Sequence, residues 1–307
     1  RKRGDAVERA AVARRHGRSR RSGSHAANGG CAAPVLAPSR AYARRVSGDR
    51  VKPQDRARYL MHSRTRGHLA RVERARSILR TAVEIAGGVE AVAVFTSWGS
   101  DSVPLCDLAL TTLGPVTMVH MASAYEMPGG ERVVEHFAAR GRVVTLPPSR
   151  TLEETVAWLH EIGLGCDRET EASRKVTNRA KGDKGAQWAA DNGVAVQVLG
   201  MRADETHARA SLFSARGPIY AARGLTLACP LASWSTVDVW AYAASRGLPW
   251  HPLYDCEGLG FTRENLSNIG WLTTHGVKRG RIAWLRRYYP DLHARIVEEW
   301  PHLRGLG

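Results

Sequence analysis

Residues 91–113 constrain this chain more than any other stretch. Ala91–Thr96 is a short apolar, β-branched run, and Ser97-Trp98-Gly99-Ser100-Asp101-Ser102 is a turn of small and polar residues. An apolar helical stretch follows through Leu113, with Pro104 where a helix would begin. A strand that ends in a Ser/Gly turn and re-enters as a helix aims backbone N–H groups and the positive end of a helix dipole at one point, which makes an anion site. The hydroxyls of Ser97, Ser100 and Ser102 add donors suited to phosphate oxygens. Asp101 would repel phosphate unless it binds Mg²⁺ or orients the loop, so it is a candidate for both roles.

The pattern repeats along the chain. Val116–Met121, Arg142–Leu146 and Val194–Leu199 are further strand candidates, with helical stretches at 130–140 and 151–162. Strands alternating with helices imply an α/β fold whose parallel sheet is covered on both faces. Ahead of the first strand, Leu69, Val72, Ala75, Ile78, Leu79, Ala82, Val83 and Ile85 recur at helical spacing in a run from Pro53 to Ala86, which Gly87-Gly88 ends. Residues 166–193 are polar and suit an exposed helix or a flap. Ser235 opens a helix, with Asp238 three residues on as an imperfect capping box. Helices near 279–289 and 291–299, separated by Pro290, close the sequence. The expected organisation is a basic arm over 1–50, N-terminal helices over 51–90, a nucleotide-binding α/β domain over 91–255 and a helical extension over 256–307.

The formal charge of +16 is unevenly placed: residues 1–80 hold 22 Lys and Arg against 5 Asp and Glu, and the remainder holds 23 against 24. The arm lacks apolar periodicity and reads as a solvated extension able to attract phosphate backbones, so nucleic acid is a candidate partner. Five cysteines (Cys31, Cys106, Cys166, Cys229 and Cys256) form no C-x-x-C pair, which argues against a zinc ribbon or a clustered iron–sulfur site. No apolar run approaches the roughly 20 residues that span a bilayer. Arg1-Lys2-Arg3-Gly4-Asp5 has none of the apolar character of a secretory signal, so the cytoplasm is the expected compartment.

Two more segments carry chemistry. Gly200-Met201-Arg202-Ala203-Asp204-Glu205-Thr206-His207-Ala208-Arg209 follows the fourth strand, and ligands of open parallel sheets bind at the carboxyl ends of strands. Arg202 and Arg209 are therefore candidate anion clamps, with Glu205 placed to hold one of them. The third segment runs from Cys229-Pro230-Leu231 through Trp234, Asp238-Val239-Trp240 and Tyr242 to Leu248-Pro249-Trp250-His251-Pro252-Leu253-Tyr254-Asp255. The helical spacing of Trp234, Val239, Trp240 and Tyr242 marks it as a core-filling element.

With these residues in view, the chain resembles the adenine-nucleotide alpha-hydrolase (PP-loop) superfamily, in its phosphoadenosine-phosphosulfate (PAPS) reductase-like branch. Ser97 to Ser102 matches that family's S-G-G-K-D-S loop, with Trp98 in place of Gly and Ser100 in place of Lys. Residues 200–209 are similar to its G-x-R-x-x-E-S-x-x-R element, and 230–255 to its P-L-x-x-W…L-P-x-h-P-L-Y-D stretch. Met121-Ala122-Ser123-Ala124-Tyr125-Glu126 resembles D-T-G-y-E with Ala122 in place of the carboxylate.

The resemblance implies a Rossmann-like sandwich and an adenine nucleotide as substrate, either ATP or a sulfated nucleotide (PAPS or its unphosphorylated counterpart, APS). Ser97, Trp98, Gly99, Ser100, Asp101, Ser102, Gly200, Arg202 and Glu205 would bind it. Asp101, Arg202 and Arg209 would carry the chemistry, with Asp101 as the candidate Mg²⁺ ligand and no iron–sulfur cluster expected. The E-C-G-x-H cysteine of thiol-dependent PAPS reductases has no counterpart here, and residues 257–307 contain no Cys. Three readings follow: chemistry at the phosphate end of the nucleotide, PAPS reduction through Cys229 or Cys256, or a degenerate nucleotide fold that binds nucleic acid or acts as a scaffold.

Overall fold

Alternate side chains of the first strand enter different cores, and the layered architecture follows from that. The computed structural model describes residues 53–122, 126–148, 150, 154, 182–266, 281–299 and 301–306. The chain divides into Arg1–Leu36 and Ala37–Gly307, and every described residue belongs to the second unit. The arm over 1–50, most of the helix expected at 151–162 and residues 166–181 lie outside the described residues.

In β1 (Val92–Thr96), Val92 and Val94 pack into one hydrophobic core while Ala93 and Phe95 pack into another. The period-two alternation of a strand places these two pairs on opposite faces. The first face is covered by α2 (Arg66–Ala86), α3 (Ser102–Leu113) and α6 (Thr236–Arg246), which contribute Leu79, Leu105 and Val239. The second is covered by a helical stretch over 182–191, through Trp188 and Ala189. On β4 (Val196–Leu199), Val196 and Val198 join the first core, and buried Gln197 donates from Nε2 to the Gly185 carbonyl at 3.1 Å.

Six strands form one sheet in the order β3-β2-β1-β4-β6-β5. β2 is Thr117–Met121, β3 is Val143–Leu146, β5 is Ile219–Ala222 and β6 is Leu225–Ala228. All neighbours are parallel except β5 and β6. That pair is a hairpin: Ala222 faces Leu225, and the two-residue turn between them has φ of 54° at Arg223 and 75° at Gly224. Two successive positive φ values are what a right-twisted two-residue hairpin requires. The apolar runs of the sequence mark β1 to β4, and the hairpin over 219–228 is added to them. The fold is thus the expected α/β sandwich with one antiparallel edge strand.

The helical run over 53–86 is divided between two helices, α1 (Pro53–His62) and α2. Thr65 caps α2, its Oγ1 accepting from His68 N at 3.2 Å, and Gly87 ends it in the left-handed region at φ 79°. Leu69 and Ile85, expected on the buried stripe, are exposed. At the far end α7 (Arg281–Tyr288) and α8 (Pro290–Glu299) occupy the expected places, but Pro290 is the first residue of α8 rather than a spacer. These helices do not pack on the sheet. With Tyr59 of α1, the outer face of α6 at Trp240, and Leu253-Tyr254, they build a separate core around Trp284.

Candidate functional site

The strand order fixes where a ligand can enter. β2 and β3 extend the sheet on one side of β1, and β4 and β6 on the other. The chain therefore reverses direction across the sheet between β1 and β4, and the crevice of such folds opens at the carboxyl ends of those strands. The turn after β1 and the 200–206 segment after β4 meet there. A Cβ on Gly200 would stand 3.5 Å from the Asp101 carbonyl carbon, so the two segments are in van der Waals reach.

Internal bonds hold the turn. Ser97 N donates to Ser102 Oγ at 3.2 Å, and the Ser97 and Ser102 hydroxyls are 3.1 Å apart. Ser100 N donates to the Tyr254 hydroxyl at 2.9 Å. Tyr254 is buried, and burial pushes its phenol up to about 12, so it meets the turn as a neutral group. The N–H groups of Gly99 and Asp101 have no hydrogen-bond partner among the described residues. In the first turn of α3, Val103 N and Leu105 N already donate to the Gly99 and Asp101 carbonyls at 3.1 and 3.2 Å, and Pro104 has no N–H.

Trp98 has φ 56°, a conformation Gly adopts without strain, and Gly is the residue the related loop motif carries there. Its indole is turned beneath the loop, 2% exposed, stacked 5.6 Å from Phe137 and 5.8 Å from His120. The side chain expected to bind nucleotide is therefore core, and Trp98 N is taken by Thr96 Oγ1 at 3.0 Å.

The β4 side of the turn is filled with paired charges. Arg202, 6% exposed, donates from Nε to Asp101 Oδ1 at 2.7 Å. Its Nη1 reaches Asp204 Oδ2 and Thr236 Oγ1, each at 3.3 Å. Thr236 N, at the start of α6, also donates to Asp204, at 3.1 Å. Burial pushes the Asp101 carboxyl up to about 6, against the pull of Arg202 and with a further push from Glu205. A carboxyl that already faces a fixed guanidinium at 2.7 Å is poorly suited to Mg²⁺, which requires carboxylate oxygens in a strict octahedron. Glu205 accepts from Arg202 N at 2.8 Å and pairs with Arg209, whose side chain is 35% exposed.

The same network continues into the N-terminal helices. Asp238 is fully buried, and it closes the capping box reciprocally with Ser235. Its Oδ1 meets His62 Nε2 at 2.8 Å, His68 Nδ1 at 2.9 Å and Arg71 Nη2 at 2.9 Å. Oδ2 accepts from Ser235 N at 2.8 Å and Ser235 Oγ at 2.7 Å, and Arg71 Nε stands 2.8 Å from it as an ion-pair contact. Burial alone would raise this carboxyl, but His68, Arg71 and Ser235 together hold it well below the usual range. The His62, His68 and Asp238 ligand atoms lie within 4.8 Å of one another. Five hydrogen-bond donors, one of them from a guanidinium, already fill the two carboxylate oxygens, so this is a hydrogen-bond hub and not a metal site.

The β2 side differs. His120 Nε2 lies 3.1 Å from Glu126 Oε1, its Nδ1 lies 3.3 Å from the Thr96 carbonyl, and the Glu126 side chain is 27% exposed. Sequence reasoning singled out neither as a site residue, nor Tyr254 or Asp204. Glu126 was legible only as part of the Met121–Glu126 motif, while Tyr254 was read as packing. Cys229 and Cys256 are buried, and burial pushes both thiols up to about 12. Trp234, Val239, Trp240 and Tyr242 are core, as their spacing implies. No helix among the described residues is long and apolar enough to cross a membrane.

Comparison with known proteins bears on this arrangement. No curated protein sequence matches the chain. Among solved structures, a phosphoadenylyl-sulfate (PAPS) reductase from Candida auris, in a phosphate complex, aligns at TM-score 0.42 and 20% identity over 59% of this chain and 83% of that one. An FMN adenylyltransferase from Candida glabrata, bound to FMN and the ATP analogue AMPCPP, aligns at TM-score 0.41 and 15% identity over 66% and 65%. The phosphoadenosine phosphosulfate reductase domain matches residues 91–270, from the strand that feeds the 97–102 turn to beyond Tyr254. That is more than half of the chain, which therefore belongs to the phosphoadenosine phosphosulfate reductase domain family.

Proposed function

We propose that the protein is an enzyme that binds an adenine nucleotide with its phosphates on the 97–102 turn and acts at the phosphate end. The observation that carries this reading is the turn. It is pinned from below by Tyr254 and from the side by Asp101–Arg202, and the Gly99 and Asp101 N–H groups carry no partner among the described residues. Donors fixed before the ligand arrives lose little entropy on binding and are already oriented toward charge that develops on phosphate oxygens. Ser97, Gly99, Ser100 and Ser102 form the cradle, and Gly200 lets the β4 segment approach it. Asp101 orients the loop, Arg202 positions Asp101, and Arg209 is the cation left for the anion. With ATP, an acceptor oxygen attacks the α-phosphorus, the bond to the bridging oxygen breaks and pyrophosphate leaves. Catalysis then rests on positioning and charge neutralisation.

Thiol-dependent PAPS reduction is the weaker reading. It needs a thiolate at the sulfur, and both described candidates are buried thiols pushed up to about 12. Equilibrium binding of ATP, APS and PAPS, with assays for pyrophosphate and for sulfite in the presence of a thioredoxin system, separates the readings. Nucleotide binding with pyrophosphate release supports the proposal. Sulfite production abolished by Cys229→Ser or Cys256→Ser would replace it with the reductase, and no nucleotide bound at millimolar concentration would favour a nucleic-acid-binding or scaffold protein.

A further inference from the structure

The two flanks of the phosphate turn offer different chemistry to the rest of a nucleotide. On the β4 flank Gly200 stands against Asp101 and the Arg202 guanidinium is engaged by three side chains, so donors and acceptors there already satisfy one another. On the β2 flank His120 and Thr96 are register partners in neighbouring strands, which brings His120 to the root of the turn at Ser97. His120 Nδ1 lies 3.3 Å from the Thr96 carbonyl, which fixes the ring plane. Nε2 then faces Glu126, within reach of Oε1 at 3.1 Å and Oε2 at 3.2 Å. A carboxylate offers about four lone-pair sites, and one ring N–H occupies at most two of them. Glu126 is thus an oriented carboxylate with accepting capacity left, at the carboxyl end of the strand beside the phosphate turn.

In doubly wound sheets that hold phosphates on the first strand–helix turn, the ribose falls near the carboxyl end of the second strand. We infer that Glu126, held by His120, accepts the ribose hydroxyls of the bound nucleotide and so selects adenine nucleotides with a free 3′-hydroxyl over those carrying a 3′-phosphate. The inference rests on the proposed seating of the phosphates on the 97–102 turn. A vicinal diol supplies two O–H donors to one carboxylate. A 3′-phosphate supplies no donor at neutral pH and brings close to two further negative charges against the same group. The substrate class is then ATP or APS rather than PAPS.

The test uses two ligands that differ only at the 3′ position, AMP and adenosine 3′,5′-bisphosphate, titrated into the full-length protein. Wild type is expected to bind AMP at least about tenfold more tightly, the scale of one charge-assisted contact. Glu126→Ala is expected to bring the two affinities within about threefold of each other, by weakening AMP and relieving the bisphosphate. Glu126→Gln keeps the size and the contact with His120 while removing the charge, and its ratio should fall between. A wild type that prefers the bisphosphate, or a ratio unchanged in both folded variants, overturns the inference and leaves the phosphate site standing. If wild type binds neither ligand at millimolar concentration, the phosphate site fails and this inference fails with it.

Discussion

The β4 and β2 flanks of the phosphate turn are both polar, yet they are built in opposite ways. Asp101, Arg202, Asp204 and Thr236 close on one another in an unbroken set of contacts, and the set continues through α6 to Asp238, His68 and Arg71. Glu126 is held by one histidine and remains partly open. The lesson concerns how a charged residue near a ligand crevice is interpreted. An arginine with three internal partners is part of the frame that shapes the site, whereas a partly exposed carboxylate with one partner is available to a ligand. Residue type gives no hint of that difference.

The comparison is broken most severely at Arg202. Replacing it by Met leaves the largely buried Asp101 carboxyl, 20% exposed, opposite no cation, and removing one member of a buried pair costs about 3–5 kcal/mol. Thermal or urea unfolding of Arg202→Met should show a loss on that scale, with nucleotide binding lost as the turn loosens. Adding Asp101→Asn should recover much of the stability and little of the binding. If Arg202→Met is as stable as wild type and loses only nucleotide affinity, Arg202 is a ligand clamp after all and the contrast between the flanks collapses.

A slightly smaller effect is expected at the far end of the same network. Asp238→Asn should destabilise by about 3 kcal/mol, because Arg71 and His68 lose their buried counter-charge. The Asp238 carboxyl is depressed in the fold. Its contribution to stability is therefore complete above the ordinary carboxylate pKa of about 4 and drains away as pH falls toward the lower folded value. Stability measured from pH 7 to pH 3 should fall more steeply for wild type than for Asp238→Asn, and parallel curves would show that the carboxylate does not bind the hub together. On the β2 flank the stability effect is smallest. Glu126→Ala should cost no more than about 1 kcal/mol, the range of a partly exposed ion pair, and a loss of several would make Glu126 part of the frame.

Periodicity and turn chemistry made most of the frame legible in the sequence. The apolar runs at β1 to β4, the Gly87 stop of α2 and the Ser235/Asp238 cap could each be found from local spacing, because each is decided within a few residues. The β5–β6 hairpin was missed for a physical reason. Its four-residue strands, IYAA and LTLA, carry almost no alternation, and the only local sign is Arg223-Gly224 between them. The break between α1 and α2 was hidden because the spaced apolar residues, Leu69 to Ile85, all lie in α2. The site was legible as loops at strand ends and illegible as bonds. Asp101 and Arg202 are 101 positions apart, and Ser100 and Tyr254 are 154 apart, so nothing local shows that they meet. Trp98 looked like a loop residue because its neighbours are; only the packed structure turns its indole toward Phe137.

The central claim, that nucleotide phosphates sit on the 97–102 turn, is tested most directly at Ser100, the position where the related loop motif has a lysine. Ser100 is partly exposed, and it meets the Tyr254 hydroxyl through its backbone N–H at 2.9 Å as well as through its side chain. Substitution there changes the charge of the cradle and leaves the backbone bond to Tyr254 in place. Titrating ATP into wild type, Ser100→Lys and Ser100→Asp at one ionic strength gives the answer. A phosphate-facing position predicts about tenfold tighter binding with Lys and about tenfold weaker binding with Asp, the scale of a charge-assisted contact. Affinities that stay at the wild-type value in both folded variants would place the phosphates elsewhere and contradict the account.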